Sequence, residues 1–178
     1  FEAPIPYSLM TDRSILQILP ISRDEIYVAT WGGEVLSLRR NPDSPQHDDA
    51  WILSPLLQLE APVIALLPVS DDTLYAGTFG DGLVQLQIVR DEDEKTTTAL
   101  RQLDQHVYDP WDTTTLPANR VTSLLMLEGQ HLLVGTFGGG LAALDLLTGN
   151  FENFDEADVH GPAAVSYTHL RAHETATY

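Results

Sequence analysis

The sequence contains no cysteine. Disulfide scaffolds, thiolate zinc sites and thiol catalysis are therefore excluded, while the redox compartment stays open because many exported bacterial proteins also lack the residue. Positive charge is scarce: 9 Lys and Arg stand against 26 Asp and Glu, a formal net charge of −17 at pH 7. Such a surface repels polyanions, which argues against a nucleic-acid partner and against direct adhesion to anionic lipid. No apolar run reaches the length of a membrane span. The chain opens at Phe1 with neither an initiator Met nor a basic, then apolar, leader; the true start is expected to be missing, so the absence of a signal peptide is weak evidence.

What is present is a repeat. The run Ile26-Tyr27-Val28-Ala29-Thr30-Trp31-Gly32-Gly33-Glu34-Val35-Leu36-Ser37-Leu38 aligns without gaps on Leu74 to Leu86 and on Leu132 to Leu144. Each copy follows an apolar run, at Ile15 to Leu19, Val63 to Leu67 and Val121 to Leu125. Within a copy, the first run is apolar at consecutive positions, as a strand covered on both faces requires. An aromatic residue and glycines follow, supplying the positive φ of a tight hairpin. The next strand alternates, with Val84, Leu86 and Ile88 on one face and Gln85 and Gln87 on the other.

A less regular outer strand is expected at Trp51 to Leu59, Thr97 to Leu103 and Phe151 to Phe154. Four strands per unit is a propeller blade, and no stretch keeps a helical period. The fold class expected is therefore all-β: a partial propeller of about three four-stranded blades, near 14–59, 62–103 and 119–154, within 1–164. The equivalent threonines Thr30, Thr78 and Thr136 are 48 and then 58 residues apart. The excess falls in the polar linkers Asn41 to Asp49 and Arg90 to Thr98, expected as exposed loops.

Few residues suggest chemistry. Gly138-Gly139-Gly140 lacks the Gly-Lys-Ser/Thr ending of a phosphate loop and runs into a strand. The acidic groups Asp91 to Glu94 and Asp155, Glu156 and Asp158 lack the alternating oxygen ligands of a calcium loop. His47, His106, His131 and His160 are scattered without metal-ligand spacing and read as surface residues. No Gly-x-Ser-x-Gly elbow anchors a hydrolase triad. No catalytic, cofactor or metal residue is assigned. Trp31, Phe79 and Phe137 share one repeat position, which favours packing between blades over ligand contact. The inserted loops are the more natural ligand readers, and Trp51, Tyr108 and Trp111, in or beside them, are the candidate ligand-binding residues.

The pattern Leu116-Pro117-Ala118-Asn119-Arg120-Val121-Thr122-Ser123-Leu124, followed by His131 to Leu141, resembles the two-component regulator propeller repeat. That repeat combines an Asn-x-Val strand, an aromatic-Val/Ile-Gly-Thr strand and Gly-Gly-Leu. The first copy departs most, with Ala29 and Glu34 where the repeat has glycine. The resemblance covers about Ser14 to Phe154. It implies a sensor region on the extracytoplasmic or periplasmic face of a bacterial inner membrane, non-enzymatic itself and joined through a downstream membrane segment to a histidine kinase or diguanylate cyclase. The partners it implies are a small-molecule or oligosaccharide ligand, the remaining blades of the same chain and a possible second copy, with no cofactor.

Residues 165–178 fit no strand of the repeat. Val165-Ser166-Tyr167-Thr168-His169-Leu170-Arg171-Ala172-His173-Glu174-Thr175 resembles the conceptual translation of a transposase-based sequencing-library adapter, so this tail is expected to be non-native and the remainder an internal fragment. Two other functions compete with the sensor. Ala143-Leu144-Asp145-Leu146-Leu147-Thr148-Gly149-Asn150 resembles a step of the quinoprotein oxidoreductase propeller, but only the third copy shows it. A WD-type interaction scaffold would carry Gly-His and Trp-Asp pairs, which are missing.

Overall fold

The apolar runs of the repeat become strands because each offers residues to both faces of a sheet. A computed structural model describes residues 14–41, 51–92, 96–127 and 130–154. The tail from Val165, the acidic cluster at Asp155, His47, His160 and most of the 41–49 linker lie outside these residues. The first sheet holds β1 (Ile15–Pro20), β2 (Glu25–Thr30), β3 (Glu34–Arg40) and β4 (Trp51–Gln58). The second holds β5 (Val63–Pro68), β6 (Thr73–Thr78), β7 (Leu83–Arg90) and β8 (Thr97–His106). The third holds β9 (Val121–Leu127), β10 (His131–Thr136), β11 (Gly140–Asp145) and β12 (Phe151–Phe154). Each sheet is a four-stranded antiparallel meander in chain order, and the described residues contain no helix.

The three sheets stack face to face as blades of an open, partial propeller. Between the first two lies a core of Tyr27, Ala29, Val35, Leu66, Leu74, Ala76, Val84 and Leu86. Between the second and third lies another, of Tyr75, Leu83, Leu116, Val121, Leu132, Val134, Ala142 and Leu144. Alternation in the middle strands makes this possible. Tyr27 and Tyr75 point forward to the next blade, while Leu74, Ala76, Leu132 and Val134 point back to the previous one. Burying each large aliphatic side chain contributes roughly 1.5–3 kcal/mol.

Register fixes which rim each turn occupies. Ile15, Val63 and Val121 pair with Thr30, Thr78 and Thr136, so the starts of β1, β5 and β9 lie at the same end as the β2–β3, β6–β7 and β10–β11 hairpins. The ends of β4, β8 and β12 reach that rim too, through Glu34↔Gln58, Leu83↔His106 and Leu141↔Phe154. The repeated threonine closes each hairpin. Thr78 Oγ1 donates to the Gly82 carbonyl at 2.8 Å and accepts from the Asp81 amide at 2.9 Å, and Thr136 Oγ1 donates to the Gly140 carbonyl at 2.9 Å.

Glu34, the departure in the first copy, has a structural reason. The later hairpins place positive φ at Gly82 (77°) and Gly140 (76°), whereas the first places it one residue earlier, at Gly33 (83°). The position after it then needs no glycine.

Candidate functional site

The hairpin rim gathers the exposed aromatic groups. Trp31 and Phe79 lie with ring centroids 5.7 Å apart, and Phe79 and Phe137 lie 6.2 Å apart, forming one row across all three blades. The row spans the seams between blades, as packing requires, yet Trp31 and Phe137 stay exposed. Arg120, immediately before β9, sets its guanidinium 5.4 Å from the Phe79 centroid and 5.9 Å from that of Phe137. A cation held over two ring faces is attracted by their quadrupoles.

The connection 107–120 crosses the same rim on firm anchors. Leu116 is fully buried in the core between the second and third blades. The Asn119 carbonyl accepts from the amides of Gly80 (3.1 Å) and Gly82 (3.0 Å), and its side-chain oxygen accepts from the Tyr108 amide at 2.6 Å. Asn153 on β12 donates to the carbonyls of Thr113 (3.0 Å) and Thr115 (3.1 Å). Between these anchors the Asp109 and Asp112 carboxylates close turns onto the amides of Trp111 and Thr114, both at 2.9 Å. Hydrogen bonds from Thr114 hold the Asp112 carboxyl below the usual carboxylate range.

The structure separates the three candidate ligand residues. Tyr108 and Trp111 stand exposed on this loop, Trp111 with 92% of its surface free. Trp51 opens β4 opposite Arg40, at the other rim, so it cannot join them in one site. There Arg40 lies 5.1 Å over the Trp51 ring and pairs with Asp24 at 3.2 Å.

Sequence reasoning missed a cleft of ≈ 350 Å³ at the hairpin rim between the first two blades, lined by Gln58, Leu59, Glu60, Asp81, Val84, Gln102 and Gln105. Gln58 ends β4, Gln105 lies one residue before the end of β8, and both bond inward. Gln58 Nε2 donates to the Gly32 and Leu59 carbonyls, both at 2.8 Å, and Gln105 Nε2 donates to the Asp81 carbonyl at 2.7 Å. The cleft therefore borders the two hairpins that carry Trp31 and Phe79. The signal available in sequence was a glutamine at or beside the end of both outer strands, but no periodicity marks it.

His106, read from sequence as a surface residue, is half-buried at the second seam, its ring 6.4 Å from that of Tyr75 and 5.5 Å from that of Phe151. Burial pushes its pKa below the ordinary histidine value, against a smaller upward pull from Asp104. Among the described residues no three His, Asp or Glu side chains converge as a metal ion would need.

Fold and rim together define the class: an open array of propeller blades presenting an aromatic row and a polar cleft at one end. No protein-family model matches the sequence, and no curated protein matches it. Solved structures do, 31 chains among them. One is the extracellular domain of a hybrid two-component system protein from B. thetaiotaomicron, with a TM-score of 0.55 and 18% sequence identity. The match covers 85% of this chain and 19% of that one, so the chain spans about a fifth of its neighbour's length. At this identity the likeness is one of fold.

Proposed function

We propose that this chain is part of a ligand-sensing, extracytoplasmic propeller of a bacterial membrane signalling receptor, itself without catalytic activity. The observation that carries the reading is the hairpin rim. An anchored loop offering Trp111, an exposed aromatic row and a cleft share one end of a scaffold whose fold is also that of a two-component system's extracellular domain. Loops on a rigid scaffold are where recognition concentrates. The ligand is a small molecule, with an oligosaccharide as one chemical possibility, and the signal leaves through a membrane segment to a kinase or cyclase module.

Further blades of the same polypeptide complete the ring in this reading. Support comes from one repeat position: Val35 and Leu83 are 0% exposed at internal seams, while the equivalent Leu141 is 41% exposed on the outer face of the third blade. The gene's full reading frame tests the proposal. A membrane span followed by a kinase or cyclase module is expected. A secreted chain ending with the propeller would favour the quinoprotein-like oxidoreductase or scaffold reading instead.

A further inference from the structure

The aromatic row crosses two seams, and among the described residues only the second holds a cation. The carbonyls of Ser14, Pro62 and Arg120 accept the amides of Trp31 (2.8 Å), Phe79 (2.9 Å) and Phe137 (2.7 Å), so the three residues occupy one repeat position. Trp31 and Phe79 pair at 5.7 Å with proline at that position, while Phe79 and Phe137 pair at 6.2 Å with arginine there. Ring contact across a seam therefore needs no cation. The arginine of the third copy calls for a use beyond packing.

Arg120 is held in place without being satisfied. Its backbone bridges to Phe79 on one side and accepts from Phe137 on the other, which fixes where the side chain starts. The guanidinium then stands over both rings, yet the residue is exposed and its N–H groups reach no acceptor among the described residues. Arg40, the other described arginine on a ring, is paired with Asp24. Rings against the guanidinium exclude water from that side and strengthen whatever its N–H edge binds. Arg39, Arg40 and Arg90 end their strands at the opposite rim, Arg23 lies in the turn between β1 and β2 there, and Arg101 lies inside β8. Among the described residues the hairpin rim thus offers one arginine, which suits a single negative charge. A polyanion would meet the repulsion of the acidic chain instead.

We infer that Arg120, bracketed by Phe79 and Phe137, anchors a monocarboxylate with a planar or apolar body at the hairpin rim. The planar fork of N–H donors matches the two carboxylate oxygens. Phe137, 61% exposed beside it, offers apolar surface to the body of the ligand. The inference rests on the reading of this rim as ligand-facing, and not on any signalling output.

Ligand-detected NMR titration of the full chain at low micromolar concentration tests it, with 3-phenylpropionate as the probe. Its amide, inorganic phosphate and cellobiose serve as comparisons. The carboxylate is expected to bind saturably, and the amide about tenfold more weakly through loss of the charge-assisted contact. Arg120→Gln is expected to weaken the carboxylate about tenfold or more, and Arg120→Lys, which keeps the charge over the rings but not the fork, about fivefold. Arg40→Gln removes a ring-held arginine at the opposite rim and is expected to leave affinity within about twofold. Denaturant midpoints of the three variants show that the fold is retained, and Arg120→Lys carries the test if Arg120→Gln loosens the seam. Equal losses in Arg40→Gln and Arg120→Gln would overturn the site in favour of diffuse charge attraction. Amide binding as tight as that of the carboxylate, or phosphate binding tighter than it, would overturn the monocarboxylate. Cellobiose binding that is lost in Trp111→Ala, with no binding of the carboxylate, would overturn this site and leave the ligand-facing rim intact. Binding of none of the four overturns both together.

Discussion

At the first seam the side chain of Tyr27 ends in a hydroxyl 2.6 Å from Thr97 Oγ1, whereas at the second the equivalent Tyr75 lies stacked on His106. The first seam is clasped by polar groups. Glu25 accepts from Ser37 Oγ at 3.0 Å and from Thr97 Oγ1 at 3.2 Å, and all three residues are buried. The Gln17 amide also bonds both the amide and the carbonyl of Leu66, joining the inner strands of neighbouring blades. Burial pushes the Tyr27 hydroxyl up to about 12, so it stays protonated at any working pH. The second seam relies on aromatic stacking and Arg120 instead. One repeat thus specifies blade stacking through shape, and leaves the polar content of each seam free to differ.

The comparison extends to the outer faces, where the same positions have no partner among the described residues. The largest effect expected is on the chain as a whole. Expressed alone, the 178-residue chain should self-associate through surfaces such as Leu141 and Ile18, the latter 61% exposed, because blades need neighbours. Light scattering during thermal unfolding checks this, and a sharp, reversible, monomeric transition would contradict it.

Next in size, Leu83→Ala should cost about 2–5 kcal/mol at a filled seam, while Leu141→Ala at the equivalent open position should cost under about 1 kcal/mol. Denaturant midpoints compare them, and similar costs would mean the outer face is covered. Thr97→Val should then cost about 1–3 kcal/mol, since it strands a Glu25 oxygen and the Tyr27 hydroxyl. Tyr27→Phe in that background should recover part of the loss.

The smallest effect concerns pH. His106 has its folded pKa lowered by burial, so the unfolded chain binds the extra proton first. Its contribution to stability is complete above the ordinary histidine value of about 6.5 and is lost as pH falls below it. His106→Gln should flatten stability between pH 7 and pH 5, a change that Thr97→Val at the other seam should not produce. An unchanged slope in His106→Gln would show that the ring titrates freely.

The strands were legible because two-sided burial leaves consecutive apolar residues, as in Ile26 to Ala29, and because glycine turns punctuate them. The site was less legible for a geometric reason. Trp51 and Trp111 both neighbour inserted loops, but Trp51 begins an outer strand and Trp111 follows one, and a strand carries its two ends to opposite rims. That deduction was open to sequence reasoning. The cleft was not, because Gln58 and Asp81 meet only when two blades stack, and their spacing along the chain carries no trace of it. Nor did the alignment explain the shared threonine, whose hydroxyl bonds become visible only with the hairpin closed.

The loop that carries Trp111 is pinned at Leu116, Asn119 and by Asn153, with Asp109 and Asp112 shaping its turns. Residues 110, 111 and 113 are exposed within that frame. They form an exchangeable cassette: selection in nature, or a randomised library in the laboratory, can rewrite what this rim presents while the blades beneath keep their seams.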